Sequence, residues 1–225
     1  MALIDYSGAQ GDAYHRQRHQ EFYESRELTE AWSAFIHRVH FSDLKPGAAV
    51  LEVGAGLGSN LLSIAKVADV YAVEPSPEAR EHCASSGLRA VASLQDLPKD
   101  LRFDVVLIRH VLEHVQDPRA MLLEVRPLLK SSGQLIVALP CEPAGDGPSP
   151  QDIDHHLYSW NRRTICNLLN DCGYEAVSAK FNWRNGRRLF LPLHRWFGAG
   201  AYSAALKTLG WLRRYGEIVV VARRR

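Results

Sequence analysis

Val50-Leu51-Glu52-Val53-Gly54-Ala55-Gly56-Leu57-Gly58-Ser59-Asn60 carries a short apolar run into a loop with glycine at every second position, after which Ser59-Asn60 opens an apolar segment. Glycine has no Cβ and tolerates φ > 0, so such a loop lets the backbone pass close beneath a ligand. Sixteen residues beyond Gly58, Glu74 closes a second β-like run, Val70-Tyr71-Ala72-Val73. A carboxylate there can accept hydrogen bonds from both vicinal hydroxyls of a ribose. Glycine loop and acid in consecutive β–α units predict a pocket for an adenosine-containing ligand.

Outward from this stretch the pattern alternates. Expected strands are 49–53, 70–73, 89–92, 103–108, 134–139, 175–182 and 217–223; expected helices are 60–67, 77–85, 118–129 and 161–172. Strands alternating with helical segments indicate β–α–β units and a parallel sheet. Ser76-Pro77 and Asp117-Pro118 each join a capping side chain to a proline suited to the first helical turn, and Gly133 frees the backbone to enter the next strand. Before Ala48, Phe22, Leu28, Trp32, Phe35, Ile36 and Val39 recur at spacings that predict one or two amphipathic helices between Tyr14 and His40. Pro140 to Pro150, rich in Pro and Gly, reads as a loop at the ligand-binding edge and as a substrate gate.

The spacing Glu52-x-Gly54-x-Gly56-x-Gly58 departs from the dinucleotide fingerprint G-x-G-x-x-G and resembles motif I of the class I S-adenosylmethionine-dependent methyltransferases. Glu74 looks like that family's ribose-binding acid, and Asp96 in Ser93-Leu94-Gln95-Asp96-Leu97-Pro98 like its adenine-contacting acid. Phe103 to Ile108 followed by Arg109-His110 resembles the fourth strand and its active-site end. Leu128-Leu129-Lys130-Ser131-Ser132-Gly133 is similar to the family's turn into strand five, with serine where proline is usual. His156-Leu157-Tyr158-Ser159-Trp160 matches a stretch found in the broad bacterial branch that includes ubiquinone-pathway and cell-surface-glycan methyltransferases. The landmarks run in order from Val50 to Val177, with Glu217 to Arg223 as the closing strand.

The resemblance implies a Rossmann-like α/β fold: a mainly parallel seven-stranded sheet flanked by helices, its last strand antiparallel. It implies S-adenosyl-L-methionine as cofactor, bound by Glu52, Gly54, Ala55, Gly56, Gly58, Asn60, Glu74, Pro75, Asp96, Leu97, Arg109 and His110. Residues 1–47 are then a helical lid carrying Tyr14, His15 and His19. The core comprises 48–183 and 217–225, and 184–216 forms an insertion capping the substrate.

Methyl transfer from a sulfonium is an in-line displacement, in which orientation supplies about 7–11 kcal/mol and a positioned base about 10²–10⁴-fold. The expected catalytic residues are His110, His114 and His155, with His110 a base of near-neutral pKa directly after strand four. His110, Glu113 and His114 share one face at helical spacing. With His155 or His156 they look like the E-x-x-E-H…H metal set of some ubiquinone-pathway and small-RNA methyltransferases. Histidine stands where those have the first glutamate, and no metal is assigned.

At 225 residues and 46% hydrophobic, the chain can bury one substantial α/β core. Cys83, Cys141, Cys166 and Cys172 form no C-x-x-C pair, which argues against a zinc clip or disulfide framework and fits a cytoplasmic location. Of 27 Lys/Arg, eleven lie between Ala176 and Arg225 beside a single acid, Glu217; the first 175 residues hold 16 bases and 24 acids. That asymmetry favours an anionic partner, here a small-molecule or lipid-linked acceptor. Aromatic residues interleave with arginines around Trp196 and Trp211, so the tail reads either as a pocket cap or as a peripheral membrane contact. The D/N-P-P-Y/F motif of base-amino methyltransferases is missing, and no stable nucleic-acid partner is expected. RNA methylation and non-catalytic cofactor binding stand as alternatives.

Overall fold

The strand built from Ala49–Val53, β1, lies in the middle of the sheet. The computed structural model describes residues 6–142 and 153–225, so most of the expected gate loop falls outside the described residues. β1 pairs in parallel with β2 (Asp69–Val73) on one side and with β4 (Phe103–Arg109) on the other, Val50 lying opposite both Val70 and Val105. β3 (Arg89–Val91) extends the β2 side; β5 (Leu129–Pro140), β7 (Gly216–Arg224) and β6 (Tyr174–Trp183) extend the other. The seven-stranded order is β3-β2-β1-β4-β5-β7-β6, with β7 antiparallel to both its neighbours. Connections run outward in opposite directions from β1 and β4. That switch point opens a crevice beyond the strands' C-terminal ends.

Strand side chains alternate between two apolar layers. Val50, Ala72, Leu107 and Ile136 face one cluster, with Leu28, Trp32, Phe35 and Ile36 of α3 (Arg26–His40) and Tyr202 and Leu206 of α7 (Leu191–Arg213). Leu51, Val53, Val106, Ile108, Leu135 and Val137 face the other, packed by Leu122 and Val125 of α5 (Pro118–Val125) and Ile165 and Leu169 of α6 (Arg162–Asp171). Burial on both faces explains why these strands read as nearly unbroken apolar runs. Each such side chain contributes roughly 1.5–3 kcal/mol when fully buried.

Local chemistry sets the helix ends. Ser25 accepts from Leu28 N at 3.2 Å to start α3, and Ser76 accepts from Ala79 N at 3.2 Å to start α4 (Pro77–Ser85). Asp117 caps α5 through Ala120 N at 2.9 Å. α5 stops at Val125, four residues short of the expected end. Pro127 has no N–H for the ladder and turns the chain through a short 3₁₀ segment into β5. Ahead of α3 lie α1 (Gly8–Arg18) and α2 (Gln20–Glu24).

The helix expected over 60–67 is a run of turns. Leu61 N, Ile64 N and Val67 N donate to Gly58, Leu61 and Ile64 carbonyls, the tighter i→i+3 pattern. Ser63 N donates instead to the Ser33 hydroxyl at 2.7 Å, so α3 intercepts the ladder of a regular helix.

Candidate active site

A cavity of about 1110 Å³ occupies the crevice at the C-terminal ends of β1, β2, β4 and β5. Its floor is the glycine loop. Gly54 and Gly56 take φ of 72° and 53°, and a Cβ on Gly54 would overlap Val111. Glu74, buried at the end of β2, ties this half together. Its Oε2 accepts from Gly56 N at 2.7 Å, its Oε1 accepts from Ser76 N at 2.9 Å, and His15 Nε2 of α1 lies 3.3 Å from Oε1. A carboxylate carries about four acceptor positions, so capacity remains for sugar hydroxyls. Backbone without Cβ under the cavity, together with this carboxylate, fits an adenosine-bearing cofactor.

Several expected cofactor residues stand behind the cavity wall. Glu52 is fully buried, accepts from Asn60 Nδ2 at 2.6 Å, and has its pKa pushed up to about 8 by burial. Asn60 Oδ1 in turn accepts from Trp32 Nε1 at 2.9 Å, so the motif acid anchors α3 through an amide. Gly58 is excluded from the lining as well; a Cβ there would overlap Leu88 and meet Cys83 Sγ at 3.0 Å, so its service is helix packing. Asp96 spends its carboxylate on its own turn, accepting from Ser93 N at 3.0 Å and from the Ser93 hydroxyl at 2.7 Å. Leu97 points into the α5–α6 layer. Ala92, Ser93, Leu94 and Gln95 line the cavity in their place. Gly54, Ala55, Gly56, Asn60, Glu74, Pro75, Arg109 and His110 all line it.

The opposite half is basic. Glu217, first side chain of β7 after Gly216 and completely buried, sits among Arg109 Nη2 at 2.8 Å, Arg184 Nη2 at 3.0 Å, Asn182 Nδ2 at 2.8 Å and His110 Nε2 at 3.0 Å. Despite burial, the two guanidiniums hold its carboxyl well below the usual range. Arg109, Arg184 and Arg187 also surround one indole, their Cζ atoms 5.3, 5.1 and 5.1 Å from the Trp32 ring. Sequence reasoning missed Trp32, Arg184, Arg187 and Glu217 as site residues. The one available signal was a lone acid in a tail of arginines.

His110 departs from its expected role. Burial first and Arg109 second push its pKa down to about 3, against the opposing pull of Glu217. Its ring nitrogens face two carboxylates, Nε2 toward Glu217 and Nδ1 toward Glu113 Oε1 at 3.5 Å. It is a fixed, weakly basic member of the wall, with φ of 55°. His155 does not line the cavity; His156, its neighbour, does. Glu113, His114 and His156 converge, with one ligand atom of each within 4.8 Å of the others. Neither Glu113 oxygen accepts a hydrogen bond from another described residue, and burial raises its pKa to about 8. His114 is pushed down to about 4 by burial and by His156, and its Nδ1 lies 2.9 Å from the Tyr6 hydroxyl.

Residues 14–179, most of the chain, match a sequence model of the family described as "Methyltransferase domain". The ubiquinone biosynthesis O-methyltransferase of Xanthomonas euvesicatoria pv. vesicatoria (strain 85-10) is 38% identical over 102 residues, 41% of this chain and 43% of that protein. The chain thus spans less than half the length of such curated relatives. Among solved structures, the 1,6-didemethyltoxoflavin-N1-methyltransferase of Burkholderia thailandensis, with 1,6-didemethyltoxoflavin and S-adenosylhomocysteine bound, has a TM-score of 0.59 at 20% identity, covering 95% of this chain and 85% of that one. Magnesium protoporphyrin IX methyltransferase of Synechocystis PCC 6803, with bound S-adenosylmethionine, gives 0.62 at 16% identity, over 99% and 95%. These structural likenesses are likenesses of fold. With the family match over most of its length and this sheet order around a glycine cradle, the chain belongs to the class I S-adenosylmethionine-dependent methyltransferases.

Proposed function

We propose that the protein transfers a methyl group from S-adenosylmethionine to an oxygen of a small-molecule, glycan or lipid-linked acceptor in the cytoplasm. One observation carries the reading: a single cavity joins the Gly54–Gly56 cradle and Glu74 to a wall of arginines and histidines at the ends of β4 and β7. The name of the curated relative, an O-methyltransferase, supports oxygen as the target. When bound, the cofactor supplies an electrophilic methyl on a sulfonium. Glu74 holds the sugar, and Gly54 and Gly56 let the backbone approach the chain that bears the sulfur. His110 orients the wall between Glu217 and Glu113 and does not act as the base. His156 faces the cavity and receives the acceptor's hydroxyl proton, while His114, held neutral beside it, orients the acceptor. α1, pinned through His15 on Glu74, works as the lid, and the 184–216 segment as the cap. Injecting S-adenosylhomocysteine in a calorimeter, then following labelled methyl transfer into lipid, glycan and metabolite fractions, tests this. Absence of binding by Gly56→Arg alone is expected; absence of binding by the unaltered protein overturns the reading.

A second reading of the histidine wall rests on Glu113. Its two oxygens, without a donor among the described residues and beside His114 and His156, fit a divalent cation, which would supply Lewis-acid polarisation of the acceptor oxygen. Metal analysis of protein never exposed to chelator tests it, with Glu113→Ala and His156→Ala expected to lose the metal. Unchanged metal content in both variants overturns it.

The cap has an outward face too. Trp196 and Phe197, near the start of α7, are 76% and 73% exposed, and Lys207, Arg213 and Arg214 lie exposed toward its opposite end or just beyond. This face contacts anionic membrane at the periphery, and no helix among the described residues is long and apolar enough to cross one. Co-sedimentation with phosphatidylglycerol vesicles, weakened by Trp196→Ser with Phe197→Ser and by high salt, is the expected result; equal binding to neutral vesicles sinks it.

A further inference from the structure

The cationic half of the cavity has a charge balance that narrows what it accepts. Arg109 and Arg184 line the cavity, and among the described residues Glu217 is the one carboxylate in contact with either. Both guanidiniums donate to the same oxygen, Oε2, and the Nε–H of each is buried without an acceptor among the described residues. His110 beside them is neutral at physiological pH. Arg187, the third guanidinium around Trp32, is paired separately with Glu21. The cluster of Arg109, Arg184 and Glu217 therefore carries one uncompensated positive charge in a largely buried wall, where a monoanion is matched and a dianion is not.

The topology places this charge on the acceptor side. The adenosine-binding features stand at β1, β2 and after β3. Arg109 ends β4, Glu217 begins β7 opposite Pro140 of β5, and Arg184 follows β6. The two sets lie on opposite sides of the switch point between β1 and β4.

We infer that Arg109 and Arg184, braced by Glu217 over the indole of Trp32, form a subsite for a carboxylate on the acceptor. The inference rests on the proposed methyl-transfer reading and specifies its substrate class: an acid, bound by its carboxylate while its methyl-accepting atom lies toward His114 and His156. Arg184 is a specificity-determining residue in this scheme, and Glu217 positions it.

Arginine Nε–H resonances in ¹⁵N-labelled protein provide the test, since those of Arg109 and Arg184 are buried in this wall. The probes are benzoate and acetate, each against its amide, and separately S-adenosylhomocysteine against 5′-methylthioadenosine, which lacks the amino-acid carboxylate. At least one carboxylate is expected to shift both Nε–H signals where its amide does not, with Arg184→Gln weakening that probe about tenfold or more and leaving the amide unchanged. Arg184→Lys, which keeps the charge, is expected to recover part of the loss. Silence toward both carboxylates, or a stronger response to inorganic phosphate, overturns the inference. So does a shift with S-adenosylhomocysteine that 5′-methylthioadenosine fails to give, because the subsite then serves the donor's own carboxylate. The carboxylate titration needs no donor, so failure of donor binding is read independently of failure here.

Discussion

At the scale of single residues, the two acids of the nucleoside pocket have opposite duties. Glu74 is engaged by Gly56 N and Ser76 N on the cavity floor, whereas Glu52 is sealed behind it with Oε2 unpartnered among the described residues. Glu74→Ala should weaken S-adenosylhomocysteine binding about 10–100-fold, the worth of a charged hydrogen bond or two, measured by calorimetry. Glu52 predicts a pH effect instead. Its folded pKa, about 8, lies above the ordinary 4.5, so the stability tied to its neutral form is complete below pH 4.5 and lost as pH rises through 8. Urea unfolding should therefore find Glu52→Gln gaining on the unaltered protein between pH 5.5 and pH 8.5. A constant difference across that range rules out the titration of Glu52 as its source.

Elements are placed by close approach as much as by propensity. Gly210 near the end of α7 lies against the backbone of Arg184, where any Cβ would overlap Arg184 N and Cα. Gly200, on the same helix, has open space around it, with nothing within 4 Å of where a Cβ would stand. Gly210→Ala should destabilise by about 1–3 kcal/mol through overpacking and push Arg184 off Glu217, while Gly200→Ala should stabilise by about 0.5–1 kcal/mol through helix propensity. Denaturant midpoints of the two variants check this, and equal effects would detach α7 from the basic wall. The kink at Gly198, with φ of 76°, lets the exposed Trp196–Phe197 turn leave the helix axis.

On the scale of the whole molecule, donor binding should couple to folding, because the cavity draws walls from α1, α3, four strand ends and the cap. Ligand at about 100 times its Kd adds about 2.7 kcal/mol. For a chain of this size that raises Tm by roughly 5–10 °C. Gly56→Arg should abolish the shift; its Cβ alone would lie 3.3 Å from His15 Cε1. A full shift in that variant would locate the donor elsewhere.

The sheet was legible in the sequence because its signals are local: apolar runs of strand length, capping pairs such as Ser76-Pro77, and a glycine loop followed by Glu74. The family followed from their order. Asp96 and Gly58 matched a pattern whose side-chain directions it does not encode, and the fold turned one to its own backbone and the other to Cys83 and Leu88. His110 looked like a base because its ordinary pKa is near neutral; burial beneath Arg109 is a property of the packed chain. The sequence by itself determined the strand framework and the nucleoside pocket, since both depend on short-range spacing. Only the tertiary structure decided the basic wall. Trp32, Arg109, Arg184 and Glu217 come from four distant segments, and charge burial is settled by what those segments bring within a few ångströms of one another.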